Sequence, residues 1–71
     1  METVEIKLRE DHIKLGQLLK AAGIAESGVD AKYMILDGTV LVNGQTELQR
    51  GKKLFDGDTV TCGNVTVKVV K

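Results

Sequence analysis

Residues 15–44 read LGQLLKAAGIAESGVDAKYMILDGTVLVNG, and their spacing predicts two helices followed by a hairpin. The first helix is expected at about residues 14–22, because apolar residues recur there on one helical face: Leu15, Leu18, Leu19 and Ala22. Gly23 follows where a C-terminal cap belongs. The opposite side of this helix carries Lys14, Gln17 and Ala21.

A second helix start lies at Ser27, with Asp30 three residues later as a weaker form of the capping box. An apolar stripe then continues up to Gly38 through Ala31, Met34 and Ile35. Lys32 and Tyr33 point away from that stripe. The sequence therefore predicts two helices of about three turns each, joined by a short loop, with an exposed Tyr beside a Lys.

Outside the helices the apolar residues repeat every second position, which is typical of strands. Val4, Ile6 and Leu8 alternate with charged residues, so a strand is expected before the first helix. Two hairpins are predicted at Asn43-Gly44 and Gly63-Asn64, with residues 45–48 as the returning strand of the first and polar residues 49–58 as a loop. The order of one strand, two helices and four short strands predicts a single α+β domain over residues 1–71, a two-helix hairpin packed on a short, mostly antiparallel sheet.

Composition excludes several classes of function. The chain has 71 residues and a formal net charge of zero, with ten basic and ten acidic side chains. One Cys (Cys62) and one His (His12) cannot form a disulfide or a Cys/His zinc site, and Cys62 is expected in the core. The sequence has neither a nucleophile beside a base nor a phosphate-binding glycine loop. We expect a cytoplasmic monomer without catalytic residues, cofactor or metal, and with no membrane-spanning segment or signal peptide.

The charges are unevenly divided along the chain. Residues 1–31 carry four basic and six acidic side chains, whereas residues 32–71 carry six basic and four acidic ones. Arg50, Lys52 and Lys53 lie in a glycine-containing loop without an adjacent acid. Three such cations repel one another, and a bound anion would relieve that repulsion. An ordinary solubilising loop explains this segment equally well when it is considered alone.

Residues 14–44 together resemble the S-four RNA-binding domain of ribosomal proteins, pseudouridine synthases and tyrosyl-tRNA synthetases. The family pattern is a basic residue, Leu and Asp opening a first helix, a Ser-Arg pair and Ala-Arg-Gln opening a second, and Gly followed by a strand ending Val-Asn-Gly. The matching positions here are Lys14-Leu15-Gly16, Ser27-Gly28, Ala31-Lys32-Tyr33 and residues 38–44. Asp56-Gly57-Asp58-Thr-Val is similar to the family's downstream Gly-Asp-x-Val. The chain is most similar to short stand-alone bacterial members with this αL motif.

The resemblance implies RNA binding through the two-helix face and the adjoining hairpin, with structured RNA, ribosomal RNA above all, as partner and ribosomal proteins as further partners. Arginines of the pattern are replaced by Lys14, Gly28 and Lys32. Because Lys lacks the bidentate fork of Arg, we expect weaker phosphate contacts from the helices. The loop that carries Arg50, Lys52 and Lys53, here called the basic loop, is then expected to supply more of the binding. The expected contact residues are Lys14, Gln17, Ser27, Gly28, Lys32, Tyr33, Asn43, Gln45, Arg50, Lys52 and Lys53.

A protein-interaction adaptor is the alternative function. In that interpretation Tyr33 and Leu36 form an apolar contact on a larger assembly, and the basic loop only tunes solubility. Ribonuclease treatment of a pull-down separates the two functions, because an adaptor keeps its partner after RNA is destroyed.

Overall fold

Two helices lie against one face of a five-stranded sheet in this chain, whose structure is a computed structural model that describes residues 2–71. The helices are α1 (Leu15–Ala21) and α2 (Gly28–Leu36). The strands are β1 (Glu2–Lys7), β2 (Ile13–Lys14), β3 (Val40–Val42), β4 (Gln45–Thr46), β5 (Lys53–Leu54), β6 (Thr59–Cys62) and β7 (Val65–Val70). The sheet has the order β1-β7-β6-β3-β4, and β2 pairs with β5 separately. The fold is the predicted α+β domain with a mostly antiparallel sheet.

The Ser27 N-cap and the Gly23 end signal are confirmed, whereas the reciprocal bond of the predicted capping box goes to the Glu26 N–H instead of the Ser27 N–H. The Ser27 hydroxyl accepts a hydrogen bond from the Asp30 N–H at 3.1 Å, and the Asp30 carboxylate accepts one from the Glu26 N–H at 3.0 Å. Gly23 ends α1 with a φ of 76°. The prediction of three turns per helix is wrong, since α1 has seven residues and α2 nine. These caps leave the helices room for only about two turns each.

The hydrophobic core lies between the helices and the sheet. The helices contribute residues at most 1% exposed: Leu15, Leu18, Leu19, Ala31 and Ile35. Side chains from the strands are likewise fully buried, namely Val40, Leu54, Val60, Val67 and Val69. Cys62 packs against this core as predicted. Every helix residue in this set belongs to the two predicted apolar stripes, so helical periodicity was a sufficient guide to the buried faces.

Long-range pairing departs from the sequence predictions in two places, and it adds a pairing direction for β1 that the sequence did not predict. The loop predicted at residues 49–58 contains β5, which pairs antiparallel with β2 about 40 residues earlier. Five strands therefore follow the helices, where four were expected. The predicted returning strand is shorter than expected, because only Gln45–Thr46 pairs with β3. β1 pairs with β7 in parallel, whereas the other pairs are antiparallel. Two-residue strands carry no periodicity, and pairing direction is a property of the tertiary structure.

The side chain of Asn43 joins the two predicted hairpins. Its carbonyl oxygen accepts hydrogen bonds from the Thr59 N–H at 2.9 Å and the Thr59 hydroxyl at 3.2 Å, and its amide donates to Asp58 at 3.1 Å. Asn43 and Gly44 have positive φ values of 51° and 85°, as a type I′ turn requires. Asn tolerates this left-handed conformation better than most residues. Asn43 therefore holds both the turn and the start of β6.

We expect Asn43→Ala to lower the free energy of unfolding by about 1–3 kcal/mol, because it removes these bonds and places Ala at positive φ. Asn43→Gly keeps the turn conformation and loses only the side-chain bonds, so it should be less destabilising than Asn43→Ala. Urea denaturation measures both variants. Equal losses would show that the backbone conformation contributes little.

Both helices are too short to cross a membrane, and no helix among residues 2–71 has the length and apolarity for it.

Candidate functional site

The loop before β5 docks on the start of α1. Lys14 lies opposite Lys53 in the β2–β5 pair, and the Leu15 N–H donates to the Lys52 carbonyl at 2.9 Å. The Gly16 N–H donates to the Arg50 carbonyl at 3.0 Å. The first N–H groups of a helix have no partner within the helix. The loop therefore supplies carbonyl acceptors to α1, and these bonds hold the basic loop beside the helices.

Gly16 allows this docking because it has no side chain. A Cβ atom at Gly16 would lie 2.7 Å from Cγ of Arg50 and 3.6 Å from the Arg50 carbonyl oxygen. Gly16 is buried, as is Leu15 before it, whereas Gln17 after it is exposed. The Asp of the family pattern would not fit here without displacing Arg50.

A surface depression of about 340 Å³ lies where the loop meets the helices. It is lined by Lys14, Gly16, Gln17, Lys20, Gly28, Arg50 and Gly51; we call these residues the basic depression. No carboxylate lines it, and among residues 2–71 the one ion pair joins Lys71 to Asp11 elsewhere on the surface. The three cations of the basic depression therefore have no neutralising partner in the described chain.

Neighbouring charges add to this positive potential. Lys14 and Lys53 are directly opposite each other across the β2–β5 pair, and like charges in that arrangement are unfavourable. Gly28 is the first residue of α2, whose amino end carries a partial positive charge. A Cβ atom at Gly28 would meet nothing within 4 Å, so there is space beside this residue, while the Ser27 hydroxyl and the Asp30 carboxylate already accept hydrogen bonds at this helix end. The arrangement is suited to bind an anion with several oxygen acceptors.

The structure brings together only part of the predicted contact set. Lys14, Gln17, Gly28 and Arg50 line the basic depression, while Lys53 lies opposite Lys14. Besides Lys53, six further predicted residues do not line it: Ser27, Lys32, Tyr33, Asn43, Gln45 and Lys52. Among them, Ser27 and Asn43 use their side chains in the bonds described above. The others are exposed on α2, on β4 and in the loop.

Lys20 lines the basic depression but is not among the predicted contact residues. It lies three positions after Gln17, so both project from the same side of α1. From that spacing, Lys20 could have been predicted to lie on the same contact face as Gln17. His12 and Cys62, the two residue types most associated with catalysis, lie outside the basic depression, and the His12 ring contacts Phe55 with centroids 5.9 Å apart.

The chain belongs to the S4 domain family, whose sequence profile matches residues 6–70. Its relatives include RlbA of Bacillus subtilis (strain 168), a probable ribosome maturation protein, with 42% identity over 55 residues, 78% of each chain. YbcJ of Escherichia coli K12 is 39% identical over 62 residues, which cover 87% of this chain and 89% of YbcJ. The solution structure of E. coli YbcJ, described as revealing an αL motif involved in RNA binding, superposes with a TM-score of 0.70 at 37% identity and covers 100% of this chain and 89% of that one.

Proposed function

We propose that this chain is a non-catalytic RNA-binding protein that holds the phosphate backbone of folded ribosomal RNA in its basic depression, during ribosome maturation. One observation carries the proposal. Cations from two segments far apart in the sequence, Lys14 and Lys20 at the two ends of α1 and Arg50 in the loop before β5, converge on one depression that has no acidic residue. The descriptions of RlbA and YbcJ support the choice of RNA and of the ribosome.

The shape of the basic depression favours a backbone phosphate as the ligand. Gly28 and Gly51 line it without side chains, and a Cβ atom at either would meet nothing within 4 Å, so a phosphate can approach the main chain closely there. Arg50 can donate to two phosphate oxygens, whereas Lys14 and Lys20 act as point charges. Contacts of this kind position an RNA and carry little sequence information.

The scarcity of aromatic residues favours folded RNA over single strands. Stacking of unpaired bases contributes about 1–3 kcal/mol per base and requires a row of exposed rings. The chain has two aromatic residues, Tyr33 on α2 and Phe55 after β5, and Phe55 contacts His12. Folded RNA is instead bound by its shape, its phosphates and its 2′-hydroxyls. Lys32, Tyr33, Gln45 and Lys52 would then form an outer ring of weaker contacts.

A salt titration tests the proposed function. If Lys14, Lys20, Arg50 and Lys53 each neutralise one phosphate, log K should fall with log salt at a slope of about −2.8 to −3.6. The probes are ribosomal RNA extracted from ribosomes, a folded RNA hairpin and single-stranded poly(U). We expect the folded probes to bind more tightly than poly(U). A flat salt dependence, or equal binding of all three probes, would contradict the proposal.

Gly16 provides a test that involves no charge. We expect Gly16→Ala to weaken binding of the RNA hairpin about as much as Arg50→Ala, because the new methyl group displaces the Arg50 side chain. Helix propensity favours Ala over Gly by about 1 kcal/mol, so the fold should tolerate the change. Thermal unfolding and fluorescence anisotropy measure the two effects. The double variant Gly16→Ala/Arg50→Ala is the control, and it should bind no more weakly than Arg50→Ala alone, because both changes act through the Arg50 side chain.

The protein-adaptor alternative is favoured by one specific observation. Val29, Tyr33 and Leu36 are 61%, 66% and 58% exposed, and their spacing places them on one outward stripe of α2. An apolar stripe of this kind is typical of a surface that contacts another protein. Loss of a captured partner on ribonuclease treatment would favour RNA binding, and its retention would favour the adaptor.

A further inference from the structure

Strand β1 forms one edge of the five-stranded sheet, and its outer side is unpaired. The Glu2 N–H donates to the Asn64 carbonyl and the Leu8 N–H donates to the Val70 carbonyl. In a parallel ladder of this register, the even residues of β1 direct their main-chain groups toward β7. The main-chain groups of Thr3, Glu5 and Lys7 therefore face away from the sheet, and no residue in the described chain (2–71) pairs with them.

This edge has the length and space to receive another strand. β1 has six residues, whereas β4 at the opposite edge has two. A groove of about 690 Å³ runs beside residues 5–10 of this edge and is bordered on its other side by Gln17 and Ala21 of α1. Natural proteins seldom leave a long edge strand uncovered, because it is a template for pairing with a further strand.

The charges on β1 are complementary to those of a second β1. A two-fold axis between neighbouring strands makes them antiparallel. Only residues of odd number can then form hydrogen-bonded pairs across the new edge. In the register centred on Ile6, Glu5 lies opposite Lys7 of the second copy, and Lys7 lies opposite its Glu5. Centring on Glu5 or on Lys7 instead places like charges opposite each other, which is unfavourable.

The apolar side chains of β1, which lie on the face of the strand opposite Glu5 and Lys7, favour the same register. Val4 and Ile6 are only half-buried, although both pack against the hydrophobic core. Pairing centred on Ile6 brings Ile6 against its symmetry mate. It also brings Val4 against Leu8 of the second copy, which directly follows β1 and is itself only 8% exposed. Apolar surface left open at the edge is then buried, while charged residues pair on the outer face.

We propose that two copies of this chain associate through antiparallel pairing of β1 centred on Ile6, forming a continuous ten-stranded sheet. This modifies the expectation of a monomer, since one strand pair and two ion pairs make a small interface that fills at high protein concentration. The proposal is independent of RNA binding, because it uses neither Lys20 nor Arg50.

Charge exchange tests the register. Sedimentation analysis of the full chain from about 1 µM to 1 mM should show a monomer–dimer equilibrium. Glu5→Lys and Lys7→Glu should each raise the dissociation constant at least about tenfold, because each replaces two attractive pairs by two repulsive ones. An equimolar mixture of the two variants should form a heterodimer, and the double variant should recover the homodimer.

The controls separate pairing from folding and from net charge. Glu26→Lys and Lys32→Glu make the same charge changes at exposed positions away from β1 and should leave dimerisation unchanged. Thermal unfolding identifies any variant that fails to fold, and in the unaltered chain amide exchange should slow with concentration at Glu5 and Lys7 only. If the unaltered chain stays monomeric at 1 mM, the proposal is overturned, and the occupant of the β1 edge would have to be a different protein. Failure of the variant mixture to form a heterodimer would overturn it as well.

Discussion

A variant with Lys14→Gln, Lys20→Gln and Arg50→Gln is expected to bind the RNA hairpin about a hundredfold to several hundredfold more weakly at about 0.1 M salt. Each lost phosphate contact removes about 0.7–0.9 from the slope of log K against log salt. The triple variant should therefore lose most of its salt dependence together with its affinity. All three side chains are exposed, so the fold should remain intact.

The matched control for this variant removes the same number of charges from other parts of the surface. Lys7→Gln, Lys68→Gln and Lys71→Gln affect residues that do not line the basic depression. Fluorescence anisotropy with the RNA hairpin, repeated over a range of salt concentrations, compares the two triple variants. A similar loss in both would mean that RNA responds to net charge alone and that the basic depression has no special role.

Leu54→Ala is expected to lower the free energy of unfolding by about 2–5 kcal/mol, because Leu54 is fully buried and its removal leaves a cavity. A domain of this size has a total stability of only about 4–11 kcal/mol. Leu54 also anchors β5, and β5 follows directly on the basic loop. The loss of this anchor should loosen Arg50 and Lys52 against α1 and weaken RNA binding in the molecules that remain folded.

Leu48→Ala is the control for Leu54→Ala, since Leu48 lies in the same connection and is 56% exposed. Its free energy of unfolding should stay within about 0.5 kcal/mol of the unaltered chain. Urea denaturation measures both variants. Leu54→Val keeps the site folded with a smaller cavity, so binding can still be measured if Leu54→Ala unfolds. An unchanged stability in Leu54→Ala would contradict the buried position of β5.

RNA affinity is limited by the overall charge of the chain. Ten basic residues are balanced by ten acidic ones, so the protein has no strong long-range field to attract RNA. The basic depression draws Lys14 and Lys20 from the acidic half of the sequence and Arg50 from the basic half. The division of the sequence into an acidic and a basic half therefore does not predict which cations lie together in the basic depression. We expect modest affinity and little indiscriminate binding.

The sequence by itself determined the helices, their caps and the two hairpins. Ser27 and Gly23 act on groups a few residues away, and the Asn43-Gly44 turn depends on the φ preferences of its own residues. The apolar stripes also identified the buried helix faces, because helical geometry fixes which side chains share a face. The family pattern added the prediction that RNA contacts the two-helix face.

Only the tertiary structure decided how the basic loop meets the helices. The β2–β5 pair joins segments 40 residues apart, and each strand has two residues, too few for any repeating pattern. Lys20 and Arg50 share the basic depression because Gly16 leaves space for the Arg50 side chain. The parallel direction of β1 and its free outer edge follow in the same way from its pairing with β7. Local preferences act over a few residues, whereas these contacts depend on the packing free energy of the whole domain.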